Sequence, residues 1–185
     1  YHQRINTRDW RTIMTTHIEQ QAMRDWVVDK GYNVFCTLKF KNGYDIDPQR
    51  AERLLRICLQ RLDRAYWGNR VERENLRCQR FVFLHKGTSG KNTHFHVLLD
   101  AVGDTYTFLQ VVRRLWAKIA GSDVTNSRFE VARNTAAPST YCVHEWSKLG
   151  SQSFCARLSH TIPPTGTDKG KNLQRVRRLL KAIDG

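Results

Sequence analysis

The chain has 185 residues, 40% of them hydrophobic, enough for one domain with a real core. Its 31 Lys and Arg against 17 Asp and Glu leave a net charge of +14, which points to a polyanionic partner, nucleic acid first. No apolar run approaches the roughly 20 residues that span a bilayer, no signal peptide is visible, and the 5 cysteines are dispersed without a Cys-x-x-Cys pair, which argues against a disulfide framework or a zinc ribbon and for a reducing, intracellular setting.

Residues 7–30 predict a helix, with Thr7 as cap, Gly31 as stop and an irregular stripe of Ile13, His17, Met23, Trp26 and Val27. A strand follows over 32–40, closed by the turn Lys41-Asn42-Gly43. Asp47-Pro48 opens a second helix in which Ala51, Leu54, Leu55, Cys58, Leu59, Leu62 and Tyr66 keep helical spacing up to Gly68. The polar segment 70–75 leads into a strand over 78–86, with Phe81, Phe83 and His85 on one face. Gly87–Asn92 is a hairpin loop by composition and delivers the chain into a strand over 93–100. A helix over 105–120 and a strand over 128–133 come next, then a helix from Pro138 to Gly150. Residues 159–170 predict a loop, and 171–183 a basic helix with Leu173, Val176, Leu179 and Leu180 in register.

From residue 32 the order is βαββαβ, the ferredoxin-like split arrangement: an α+β core with a central antiparallel sheet, helices mainly on one face, the other face free for ligands, and extra helices at both termini. We divide the chain into an N-terminal helical extension (1–31), a core (32–158) and a loop with a basic C-terminal helix (159–185).

His94 and His96 share one face of their strand, while Phe95 packs on the other. Two adjacent imidazoles are the start of a metal site. His94-Phe95-His96 resembles the signature of the HUH endonuclease superfamily. Phe35-Cys36-Thr37-Leu38 resembles the Phe-x-Thr-Leu motif of its rolling-circle replication initiators, and Tyr141-Cys142-Val143-His144 the Tyr-Leu-Thr-His motif of plasmid initiators. The likeness covers residues 32–150. Tyr141 follows the histidines, as in initiators and single-tyrosine transposases, whereas relaxases carry their tyrosine near the N-terminus. Viral initiators place Lys three or four residues after the tyrosine; here His144 and Glu145 stand there and Lys148 lies further on, which leans toward the plasmid- or phage-like branch.

The resemblance implies a metal-dependent nuclease that nicks single-stranded DNA at an origin hairpin through a 5′-phosphotyrosine, freeing a 3′-OH for rolling-circle replication in a bacterial cytoplasm, with the host helicase and polymerase as further partners. His94 and His96 would bind Mn²⁺ or Mg²⁺, with a third ligand from the neighbouring strand: His85 first, with Gln79, Glu72 and Glu74 as the other options. Tyr141 would be the nucleophile, aided by His144 and Lys148. Lys39, Lys41, Lys86, Lys91 and Arg133 would hold the DNA, along with Arg113, Arg114 and Arg128, and Trp67, Trp146 and the aromatics of the first strand would stack on its bases. A single-tyrosine transposase is the alternative. A non-catalytic RNA-recognition-type binder shares the βαββαβ order but lacks the Lys/Arg-Gly-Phe signature here.

Overall fold

The apolar alternation that predicts strands is realised as one antiparallel sheet, in the spatial order β2-β3-β1-β4: β1 Val34–Lys39, β2 Arg80–His85, β3 His94–Leu99 and β4 Arg128–Val131. The structure is a computed structural model and describes residues 10–41, 43–121, 126–163 and 169–184. Helix α1 (Trp10–Asp29) precedes β1; α2 (Pro48–Trp67) and the short α3 (Arg70–Arg73) link β1 to β2; α4 (Thr105–Ala120) links β3 to β4; α5 (Ala136–Val143), α6 (Trp146–Leu149) and α7 (Lys169–Asp184) follow. Strand β3 lies between β1 and β2, so the core is the expected split βαβ arrangement within an α+β fold. Among the described residues no helix is long and apolar enough to cross a membrane.

The helix boundaries have local causes. The Asp47 side chain accepts the Arg50 amide at 2.9 Å and Pro48 opens α2, which stops at Gly68 with φ +56°. Asp104 caps α4 through the Thr107 amide at 2.7 Å, and Gly121 ends it in the left-handed region. Both helices lay an apolar face on one side of the sheet. Leu55, Leu59 and Leu62 of α2 and Phe108, Val111 and Leu115 of α4 pack with Val34, Cys36, Leu38, Val82, Phe95, Val97 and Leu99. Val176 of α7 joins this core.

The start of β2 is pinned by a buried ion pair. Asp63 of α2 takes the Cys78 amide at 2.9 Å and two bonds from Arg80 Nη1 at 2.8 and 3.0 Å. All five cysteines are free thiols, four of them buried.

Five expectations are corrected. The sheet face expected to be free is half roofed: Val27 of α1 and Cys142, Val143 and Trp146 of α5 and α6 cover Phe35, Phe81, Phe83 and Leu98, because those side chains would otherwise leave a large apolar patch in water. The stripe proposed for α1 holds only in part, since Val27 is buried but His17 is exposed; the Thr7 cap lies outside the described residues. The single helix expected over 138–150 is broken at His144 and Glu145. There His144 Nδ1 donates to the Tyr141 carbonyl at 2.5 Å, the oxygen that a continuing helix would give to the Glu145 amide. Finally, the segment 70–75 contains α3, and residue 160 in the expected loop pairs with Arg80 as an isolated bridge.

Candidate functional site

Register brings the histidines together. In the antiparallel ladders His94 lies opposite both Lys39 and His85, and His96 lies opposite Thr37 and Phe83. Because side chains alternate, His85, His94 and His96 share the half-roofed face with Phe83 and Leu98, and all three are buried. The rings crowd: His85 is 4.2 Å from His96 and 5.5 Å from His94, centroid to centroid, and His94 is 5.0 Å from His96.

Each ring is held by one nitrogen. His94 Nδ1 donates to the Asn92 carbonyl at 2.8 Å, and His85 Nε2 to the Cys142 carbonyl at 2.7 Å. Thr37 Oγ1 holds His96 Nδ1 at 3.1 Å, and Phe35 stacks on the same ring at 5.6 Å and 11°. The residues of the Phe-x-Thr-Leu stretch are therefore the supports of His96. A carbonyl only accepts, so the protons of His85 and His94 sit on the bonded nitrogens and the other nitrogens carry lone pairs. One ligand nitrogen from each of His85, His94 and His96 lies within 4.8 Å of the others. His85 Nδ1 and His96 Nε2 are buried without a hydrogen-bond partner. Burial, reinforced by the neighbouring rings, pushes the His96 pKa well below the ordinary histidine value, lowers that of His94, and lowers that of His85 to about 4. Neutral imidazoles held in place, two of them with a buried ring nitrogen that has no hydrogen-bond partner, fit a divalent metal ion.

The other options for a third ligand lie elsewhere. Gln79 Nε2 donates to the Thr161 carbonyl, Glu72 pairs with Arg64, and Glu74 with Arg70.

Tyr141 stands beside the triad. Its ring meets His96 edge to face at 4.8 Å and His144 at 4.9 Å, and it is about half exposed. The helix break keeps Tyr141 at the last turn of α5 and puts Lys148 on α6, yet both line one cavity of about 560 Å³ together with His94, His144, Lys39 and Arg128.

The remaining predicted cations divide. Lys39 faces the cavity, whereas Lys41 lines a separate hollow between the start of α2 and the end of α4. Lys86 contributes its backbone amide to Glu145. Lys91, Arg113 and Arg133 are exposed, and none of them is among the cavity's lining residues. The stacking candidates Trp67, Trp146 and Phe35 are buried core residues, as are Tyr32 and Phe40.

Two residues of the site escape the sequence reading. Tyr44 is exposed and lines the cavity. Gly43 brings it there by passing close under the β2–β3 loop: a Cβ at 43 would lie 2.6 Å from Asn92 Oδ1, and the Gly43 carbonyl accepts the Thr93 amide at 2.9 Å. Glu145 is buried, and its Oε2 accepts the Lys86 amide at 2.8 Å. Burial works against its charge, but the Lys86 amide and the His85, His144 and His94 rings outweigh that and hold its pKa below the usual carboxylate range. The signal for Glu145 was its place four residues after Tyr141, one helical turn on.

Compared with family models, with curated proteins and with solved structures, the chain finds no match in any of the three.

Proposed function

We propose that the protein is a metal-dependent endonuclease and strand transferase that nicks single-stranded DNA at a replication origin, with Tyr141 as nucleophile. The observation that carries this reading is the half-exposed Tyr141 ring, 4.8 Å from one of three buried imidazoles that each bring a ligand nitrogen within 4.8 Å of the others. A phosphoryl-transfer site combines a nucleophile, a divalent cation and positive side chains around the phosphate, and Tyr141, the triad, Lys39, Arg128 and Lys148 offer these together.

His85, His94 and His96 would hold the ion. Of Mn²⁺ and Mg²⁺ we favour Mn²⁺, because Mg²⁺ takes oxygen ligands and three imidazoles offer none. A divalent cation bound there supplies Lewis-acid stabilisation of the charge that develops on a scissile phosphate. The protein's own groups supply the rest. Tyr141 Oη attacks phosphorus and gives up its proton to solvent. A phosphotyrosine ester forms to the 5′ side as the bond from phosphorus to the 3′ oxygen breaks. The departing 3′ oxygen takes up a proton, so that none is consumed overall. Lys39, Arg128 and Lys148 neutralise the strand in the cavity, and Tyr44 gives a base a surface to stack on. His144, joined to the Tyr141 carbonyl, orients the end of α5. The ester conserves bond energy, so a later 3′-OH can reverse the step and rejoin the strand.

A single-tyrosine transposase uses the same chemistry. The non-catalytic binder gains no support: RNA-recognition sheets expose aromatics for stacking, whereas Phe35, Phe81 and Phe83 are covered by α1, α5 and α6.

The test is a denaturing gel. The protein incubated with Mn²⁺ and single-stranded DNA should yield an adduct that survives SDS, and EDTA should prevent it. Retarded mobility in native gels with no SDS-resistant adduct on any single strand would favour the binder.

A further inference from the structure

Glu145 faces two histidines in a way that the triad does not explain. Its Oε1 lies 3.9 Å from His85 Nδ1 and 3.7 Å from His144 Nε2. The other nitrogen of each ring is committed to a backbone carbonyl, His85 Nε2 to Cys142 at 2.7 Å and His144 Nδ1 to Tyr141 at 2.5 Å. In the neutral rings the nitrogens that face Glu145 therefore carry lone pairs. With both rings neutral, three electron-rich atoms confront one another within 4.8 Å. Two of the three residues, His85 and Glu145, are at least nine-tenths buried, and His85 Nδ1 has no hydrogen-bond partner. In that neutral state the arrangement is repulsive until a positive charge, a ring proton or a metal ion, sits inside it.

We propose that His85, His144 and Glu145 form a second cation position, distinct from the all-imidazole triad and sharing His85 with it. Its donors are two imidazoles and one carboxylate, a set suited to first-row divalent ions. His85 Nδ1 has a single lone pair, so two ions cannot both use it. The two positions are alternative stations for one ion, and His85 is the ligand about which the ion passes from one to the other. The break at residues 144–145 between α5 and α6 leaves both side chains beside His85 of β2. The inference goes beyond the nuclease reading and rests only on donor geometry, so it holds whether or not the protein cleaves DNA.

The test is a titration of metal-free protein with Co²⁺, read by its visible absorption and by equilibrium dialysis. His94→Ala leaves the triad with two ligands, so the second position should dominate. We expect His94→Ala to bind one equivalent of Co²⁺, and Glu145→Gln or His144→Ala in that background to weaken binding by about tenfold or more, since even the outer partners of a ligand are worth that much. His144 is about half exposed, so its removal does not threaten the fold, and it decides the matter if the Glu145 variant melts early. No Co²⁺ bound by His94→Ala, or double variants that bind as tightly as His94→Ala, would overturn the second position, with a proton shared between His144 and Glu145 taking its place. Neither result touches the nuclease reading, which is decided by the covalent adduct of the unmutated protein.

Discussion

His96 and Tyr141 meet edge to face, ring centroids 4.8 Å apart at 86°. One comes from the central strand β3 and the other from the last turn of α5, 45 residues later in the chain. Strand parity sets the first ring and the break after Val143 sets the second, so the pairing depends on both.

The metal reading makes a direct demand. His94→Ala or His96→Ala should abolish strand cleavage while leaving most of the affinity for single-stranded DNA, because phosphate contacts by Lys and Arg supply the bulk of binding. Cleavage should stop in EDTA and return with Mn²⁺. Full cleavage in EDTA would contradict the metal's part.

The buried histidines also predict how stability depends on pH. His85 has a pKa near 4 in the folded protein against 6.5 for an unperturbed histidine, and His94 and His96 shift the same way. The unfolded chain thus binds more protons in that window. Stability is complete above about pH 6.5 and is lost as pH falls toward 4, with His85 alone accounting for something on the order of 3 kcal/mol and the other two adding to it in the same direction. Urea melts of metal-free protein between pH 7.5 and 4.5 measure this, and a His85→Gln variant should show a flatter profile. Stability unchanged from pH 7 to 5 would mean that the rings are solvated.

Strands and the two long central helices were legible in the sequence because their signals are local. Alternation marks β1 to β3, and Asp47-Pro48 and Gly121 mark helix ends. The parity of His85, His94 and His96 follows from the same alternation, so the triad was readable before the register was known. The broken helix was not, because the contacts that break it are remote: Glu145 leaves the helical path to take the Lys86 amide, 59 residues away. Tyr44 escaped for a similar reason, since its place depends on how closely Gly43 passes Asn92. The roof over Phe81 and Phe83 was missed because the stripe on α1 is irregular; Trp26 reaches Phe81 edge-on at 4.5 Å while remaining partly exposed.

Binding should report which cations face the strand. Lys39→Ala should reduce the slope of log affinity against log salt by about 0.7, and Tyr44→Ala should cost about 1–3 kcal/mol of single-strand affinity. Lys41→Ala, on the helix side of the sheet, should leave both unchanged. Fluorescence anisotropy over a salt series measures the three variants, and equal slopes for Lys39→Ala and Lys41→Ala would remove the cavity as the DNA path.

The Asp63–Arg80 pair makes a prediction about the scaffold alone. Arg80→Met leaves the Asp63 carboxylate fully buried, with the Cys78 amide and Arg77 at 3.6 Å as its remaining partners. The cost should be about 3 kcal/mol in urea denaturation, because breaking one half of a buried pair strands the other charge. A cost below about 1 kcal/mol would mean that Arg77 replaces Arg80.

The central claim rests on one oxygen. Tyr141→Phe keeps the ring against His96 and removes only the hydroxyl, so the fold, metal binding and DNA affinity should be preserved. The measurement is the covalent adduct with single-stranded DNA in Mn²⁺, resolved on a denaturing gel and mapped by mass spectrometry. The account predicts an adduct on Tyr141 in the unmutated protein and none in Tyr141→Phe; an adduct that persists in Tyr141→Phe would contradict it.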